Sequence, residues 1–214
     1  MPKLATLVVC ACSLAALAAF GREQPERESS RSSGAEPQIS VLVFDYAGVG
    51  GILGAAEREA ARILSAARLN VVFRRCPESP RELISTPACA SPRPPGILVH
   101  ILPGSATRLS TEPSAFGFAV PAGEEYPDYA CVFFDRVETL SRTGRVHPAT
   151  ILGAVMAHEM GHLLLGSGAH APPGIMTAHW GPKELGALGQ GRLLFSHSQA
   201  KRIQLTALRR NAGE

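Results

Sequence analysis

Charge is sparse and dispersed in this sequence. The 21 lysines and arginines and 18 aspartates and glutamates give a formal net charge of +3 over 214 residues, with no long run of either sign. That excludes the basic stripe of a nucleic-acid surface. Length is also lacking: a chain of this size buries one sizeable core, and two full domains would be cramped. No segment repeats at a fixed period, which excludes a solenoid array. What the chain does have is 45% hydrophobic residues, enough for one domain with an apolar interior.

The longest apolar run stands at the start. Lys3 precedes an alanine- and leucine-rich stretch from Leu4 to Phe20, the form of a secretory signal peptide, with Ala16 and Ala18 as small residues before a cleavage point. An uncleaved membrane anchor is the alternative, at the short edge of what spans a bilayer. Residues 22–37 are dominated by Arg, Glu, Ser, Pro and Gly and carry too little apolar surface to fold alone. The expected organisation is a signal peptide over 1–21, a polar linker over 22–37 and one domain over 38–214. The protein is then secreted or periplasmic, with no membrane partner after cleavage. Export permits disulfides. Cys10 and Cys12 would leave with the signal, while Cys76 and Cys89 flank a proline-rich loop and are expected to bridge. Cys131 is then unpaired and buried at the head of an apolar run, with other pairings open.

The elements follow from periodicity. Ile39–Tyr46 is apolar and β-rich, predicting a buried strand. Ile52, Ala56, Ala60, Ile63 and Ala67 line one face of a helix predicted over 52–69. Strands are predicted over 71–75 and 96–102, a short edge strand over 116–120 between Pro113 and Pro121, and a further strand over 129–137. Pro148 opens a helix at the position where its missing N–H is harmless, and Gly166 stops it after Leu165. Ser196 and Gln199 have capping-box spacing at the head of a last helix, with Ile203 and Leu208 on its packing face. This order predicts a twisted sheet with helices packed against it, an α/β or α+β fold.

His158, Glu159 and His162 form H-E-x-x-H. Residues four apart stand one above the other on a helix, so both imidazoles can reach one ion. Glu159, one position round, can hydrogen-bond a water without being a ligand. Imidazole ligands and an open fourth position favour zinc. The rival reading is two histidines packed in a buried helix without metal, in which a buried Glu159 would need its own partner. A third ligand is required, and His170, His179, His100 and Glu184 are the candidates. His170 is favoured because Gly166 and Gly168 allow a sharp left-handed turn back toward the helix. Glu184 would require a second helix, which the prolines and glycines after His162 do not predict.

The stretch HEMGHLLLGSGAH over 158–170, followed by GIM over 174–176, resembles the metzincin clan of zinc metallopeptidases. That clan's signature is H-E-x-x-H-x-x-G-x-x-H with a methionine in a downstream turn, and the matrixins are its nearest branch to this chain. The resemblance implies His158, His162 and His170 as ligands of one zinc ion, Glu159 as catalytic base, Gly166 as turn glycine and Met176 beneath the metal. Here the glycine falls four and the last histidine eight residues after His162, against three and six in the clan. The spacing from His158 to Met176, eighteen residues, is that of typical matrixins. Ala178 stands where astacin-like members carry a tyrosine.

The implied fold is zincin-like: a twisted mixed sheet with an antiparallel edge strand, a long helix, an active-site helix and a small C-terminal subdomain ending in a helix. Gly117, Phe118 and Ala119 would lie on the edge strand that pairs with extended substrate. His179 and Trp180 follow the methionine and either line a specificity pocket or are a solvent histidine and a packed tryptophan. The implied function is a secreted zinc endopeptidase that hydrolyses polypeptides by a zinc-activated water, with Glu159 as general base. The alternatives are an exported zinc-binding protein that engages polypeptides without cleaving them, and a purely structural exported domain.

Overall fold

The computed structural model describes residues 36–213 apart from 78, 80, 83–84, 91–95, 110–114, 122–127 and 167. The expected signal peptide and all but the last two residues of the expected linker lie outside the described residues. Strand β1 (Gln38–Asp45) is apolar on both faces because both are covered. Ile39, Val41 and Val43 enter the main core, whereas Leu42 and Phe44 join a second cluster with Cys76 and Cys89.

Asp45 Oδ1 accepts a hydrogen bond from the Val49 amide at 3.0 Å, where the chain turns into α1 (Gly50–Ala66). The helix expected over 52–69 ends early. Arg68 is left-handed (φ 56°) and the Leu69 amide returns to the Leu64 carbonyl at 3.1 Å, which buries Leu69 and frees Asn70 to begin β2 (Asn70–Cys76). After β2, the short α2 (Pro87–Ala90) carries Cys89, which bridges to Cys76 as expected. Closing this loop, with a sequence separation of 13, stabilises the fold by about 3 kcal/mol in the chain-entropy account.

Strands β1, β2 and β3 (Gly96–Leu102) are parallel, as is β5 (Asp128–Phe133) beside β3. Strand β4 (Gly117–Val120) runs antiparallel to β5, giving the order β2-β1-β3-β5-β4. The mixed sheet with an antiparallel edge thus agrees with the expectation. The strand predicted over 129–137 does not extend that far: at Phe134 the chain enters α3 (Phe134–Gly144). Phe134, Val137 and Leu140 lie at helical spacing and all pack on the core, a periodicity hidden by the apolar run of the preceding strand.

Helix α4 (Pro148–Leu165) is apolar around nearly its whole circumference and correspondingly buried. His147 Nδ1 accepts from the Ala149 amide at 3.2 Å at its start, beside Pro148. It packs closely on α1: a Cβ on Gly153 would lie 2.4 Å from the Ala56 carbonyl oxygen. The sequence did not predict α5 (Pro182–Gly189). Its proline stands in the first turn, where no N–H is required, so it opens the helix instead of breaking it.

The last helix, α6 (His197–Ala212), begins at the predicted Ser196–Gln199 capping box. Arg202 and Arg210 donate to the Leu165 and Leu163 carbonyls at 2.6 and 2.8 Å. These are end-of-helix carbonyls with no partner inside α4. Arg210 also pairs with Asp128 of β5, so α6 ties the end of α4 to the sheet. Among the described residues no helix is long and apolar enough to cross a membrane.

Candidate metal centre

Helix α4 carries His158 and His162 on one face. The chain leaves it at Gly166 (φ 86°) and turns again at Gly168 (φ 72°), both in the left-handed region that glycine tolerates. This bend returns His170 to the other two histidines. A hydrogen bond of 3.0 Å from the Ala171 amide to the Met176 carbonyl pins the returning loop.

The three Nε2 atoms form a triangle with sides of 3.1 Å (His158–His162), 3.1 Å (His162–His170) and 3.4 Å (His170–His158). A tetrahedral zinc with bonds of about 2.0–2.1 Å holds its nitrogens about 3.3 Å apart, so the triangle fits one face of such a site. His158 Nδ1 lies 2.7 Å from the Ile175 carbonyl oxygen. A carbonyl only accepts, so Nδ1 carries the proton and Nε2 keeps its lone pair for a metal. Burial pushes His158 and His162 down to about 4, helped by the neighbouring imidazoles. Both are neutral near pH 7, the form that binds a metal.

Glu159 sits beside this group, only 4% exposed, and burial raises its carboxyl to about 8. Both it and the three histidines line a cleft of about 320 Å³ whose other walls include Phe116, Gly117, Val155, Leu163 and Trp180. Strand β4 forms one side of the cleft, and its outer edge meets no further strand among the described residues. Met176 is fully buried beneath α4: a Cβ on Gly161 would lie 2.7 Å from its sulfur and 2.8 Å from Phe195 Cε1. Gly161 therefore makes room for the methionine turn.

The histidines, Glu159, Met176 and the β4 residues predicted from sequence are thus brought into one neighbourhood. The other ligand candidates lie elsewhere. His100 projects among Phe44, Tyr46 and Tyr129, with ring centroids 5.2, 5.7 and 6.2 Å away. Glu184 accepts from the Gly181 amide at 3.0 Å and caps α5. His179 is exposed and outside the three-histidine group.

One contributor was not legible beforehand, and a second had been open between lining the pocket and packing. The Ile175 carbonyl that orients His158 also accepts from Trp180 Nε1 at 3.2 Å, and the Trp180 ring meets the His158 ring edge-on at 5.8 Å. Trp180 is a packed residue of the core that also lines the cleft. Its place just after the methionine was the available signal.

No family model matches the sequence, and no curated protein matches it. Among solved structures the chain is similar to archaemetzincin from Methanopyrus kandleri, at 17% sequence identity and a TM-score of 0.45, over 83% of this chain and 98% of that one.

Proposed function

We propose that this chain is an exported zinc metallopeptidase, an endopeptidase cutting polypeptides that lie in the cleft between β4 and α4. The observation that carries this reading is the convergence of three imidazole nitrogens beside a buried carboxylate. His158, His162 and His170 would hold the zinc through Nε2. When bound, zinc supplies a Lewis acid that acidifies water and polarises a peptide carbonyl.

The ionised form of Glu159, which burial alone disfavours, is favoured beside a bound cation; the carboxylate then takes up a proton as water attacks the carbonyl carbon, and passes that proton to the departing amine nitrogen. The Ile175 carbonyl keeps the His158 ring turned toward the ligand position. The backbone of Gly117, Phe118 and Ala119 receives the substrate as an added strand. Phe116, Val155, Leu163 and Trp180 keep bulk water from the reacting bond. Export rests on the apolar run Leu4–Phe20, read as a signal peptide.

Hydrolysis of a mixed peptide library by zinc-loaded protein tests this. Chelation should abolish cleavage and added zinc restore it. Glu159→Gln should keep its zinc and lose turnover by roughly a hundred- to ten-thousand-fold. A Glu159→Gln variant as active as wild type would remove Glu159 as the base. Zinc-loaded wild type that binds peptides but cuts none would favour the non-cleaving polypeptide binder.

A further inference from the structure

We infer that Gly117 is a positioning residue for Glu159: its missing side chain lets the backbone of β4 close onto the carboxylate and sets the distance between the edge strand and α4. The consequence for turnover rests on the peptidase reading, but the geometry does not. Gly117 is buried and pairs with Val132 of β5. A Cβ there would lie 2.9 Å from Glu159 Oε1, 3.0 Å from its carboxyl carbon and 2.2 Å from the Cys131 carbonyl oxygen. The φ of Gly117 lies outside the left-handed region, so an L-residue could adopt this backbone. Space, and not conformation, demands glycine. Glycine weakens a strand and marks places where something approaches the backbone closely, and two groups do so here: the Cys131 carbonyl oxygen of the neighbouring strand, which is the nearer, and the Glu159 carboxylate on the side of the cleft. An added methyl forces β4 outward or turns Glu159 aside. Either movement changes the carboxylate's position relative to a peptide held on β4, and a displacement of about 1 Å costs roughly a hundredfold in rate.

A double-mutant cycle on the zinc-free protein tests the contact without using activity. Urea midpoints are measured for wild type, Gly117→Ala, Glu159→Ala and the double variant. Gly117→Ala should lower the midpoint, and lower it less where Glu159 is already truncated. The Cys131 carbonyl is present in both backgrounds, so a role in the strand alone gives equal shifts and overturns the proposal. If Gly117→Ala does not fold, a folded double variant supports the contact with the carboxylate, whereas failure of both assigns the need for glycine to the Cys131 carbonyl and overturns the proposal. With zinc loaded, folded Gly117→Ala should retain one ion per chain, lose roughly a hundredfold in kcat and change KM by less than about threefold. A kcat within about twofold of wild type would contradict the positioning role. Coupled urea midpoints in a protein that cleaves no peptide would sink the peptidase reading and leave the seat for Glu159 standing.

Discussion

At the scale of single residues, an imidazole serves a metal only when it is neutral and correctly turned. Burial supplies the first condition for His158 and His162, and the Ile175 carbonyl supplies the second for His158. Trp180 donates to the same carbonyl and helps hold it in place. Trp180→Phe is therefore expected to weaken zinc binding by about tenfold, the lower end for residues that orient a ligand. Competition against a chelating indicator checks this, and unchanged affinity would reduce Trp180 to a packing role.

Burial also makes the metal-free protein sensitive to pH. Glu159 has a folded pKa of about 8 against an ordinary 4.5, so its contribution to stability is full below 4.5 and lost as pH rises through 8. His158 and His162 are depressed from 6.5 to about 4, so their contribution is full above 6.5 and lost as pH falls through 4. Between 4.5 and 6.5 two histidines outweigh one glutamate, which puts the maximum near 6.5. Urea unfolding across pH 4 to 9 should show that maximum, and Glu159→Gln should remove the decline between 6.5 and 8, leaving the loss near pH 9 to the Cys131 thiol, which burial pushes up to about 12.

The pair of helical histidines was legible because a spacing of four is itself a statement about helix geometry. His170 was harder. Its spacing departs from the metzincin pattern, and only the two glycines before it signalled the bend. The Ile175 carbonyl was not legible at all, since which way a backbone oxygen points depends on the packed turn around it.

At the scale of elements, α4 is held from several sides. Its last carbonyls receive Arg202 and Arg210 from α6, and Arg210 faces the buried carboxylate of Asp128. This fixes the helix end from which the chain departs toward His170. Replacing Arg210 by alanine takes away the guanidinium opposite that carboxylate and should destabilise the fold by about 3 kcal/mol, the lower range for breaking a buried pair. Chemical unfolding of Arg210→Ala measures it; a loss under about 1 kcal/mol would place the pair among weak surface bridges.

Elements with one clear period were legible. Strand β1 and helix α1 announced themselves by β-branched runs and by i, i+4 alanines, and α4 by its proline start and glycine stop. Three helices were not: the single-turn α2 inside the proline-rich loop, and the longer α3 and α5. The apolar residues that end β5 run directly into Phe134, so the change of period from strand to helix leaves no gap in hydrophobicity. Helix α5 is short and flanked by glycines, and its proline reads as a breaker until its first-turn position is seen.

At the scale of the whole molecule, the sheet order sets the chemistry. Parallel strands β1, β2, β3 and β5 build the buried platform, and antiparallel β4 forms the edge that flanks the cleft. On the opposite side the Cys76–Cys89 bridge and its apolar neighbours close the second cluster. The sheet with packed helices was legible from element order and the edge position of β4 from its flanking prolines, whereas its antiparallel direction came only from the family resemblance. Leu185, Leu188, Leu193, Phe195 and Ile203 join the main core, so the C-terminal segment shares that core and does not build one of its own. Because the three histidines come from both a helix and a returning loop, zinc held by them should stabilise the native chain, by about 2.7 kcal/mol at a free zinc concentration of a hundred times Kd.

Zinc stoichiometry and affinity, measured side by side on wild type and on His170→Ala, tests the three-histidine centre most directly. One tightly held ion per wild-type chain and an affinity weakened at least about a hundredfold in His170→Ala are predicted, since a lost ligand costs no less than a lost orienting partner. Wild type that takes up no zinc, or a His170→Ala chain that binds it as tightly as wild type, would contradict the account.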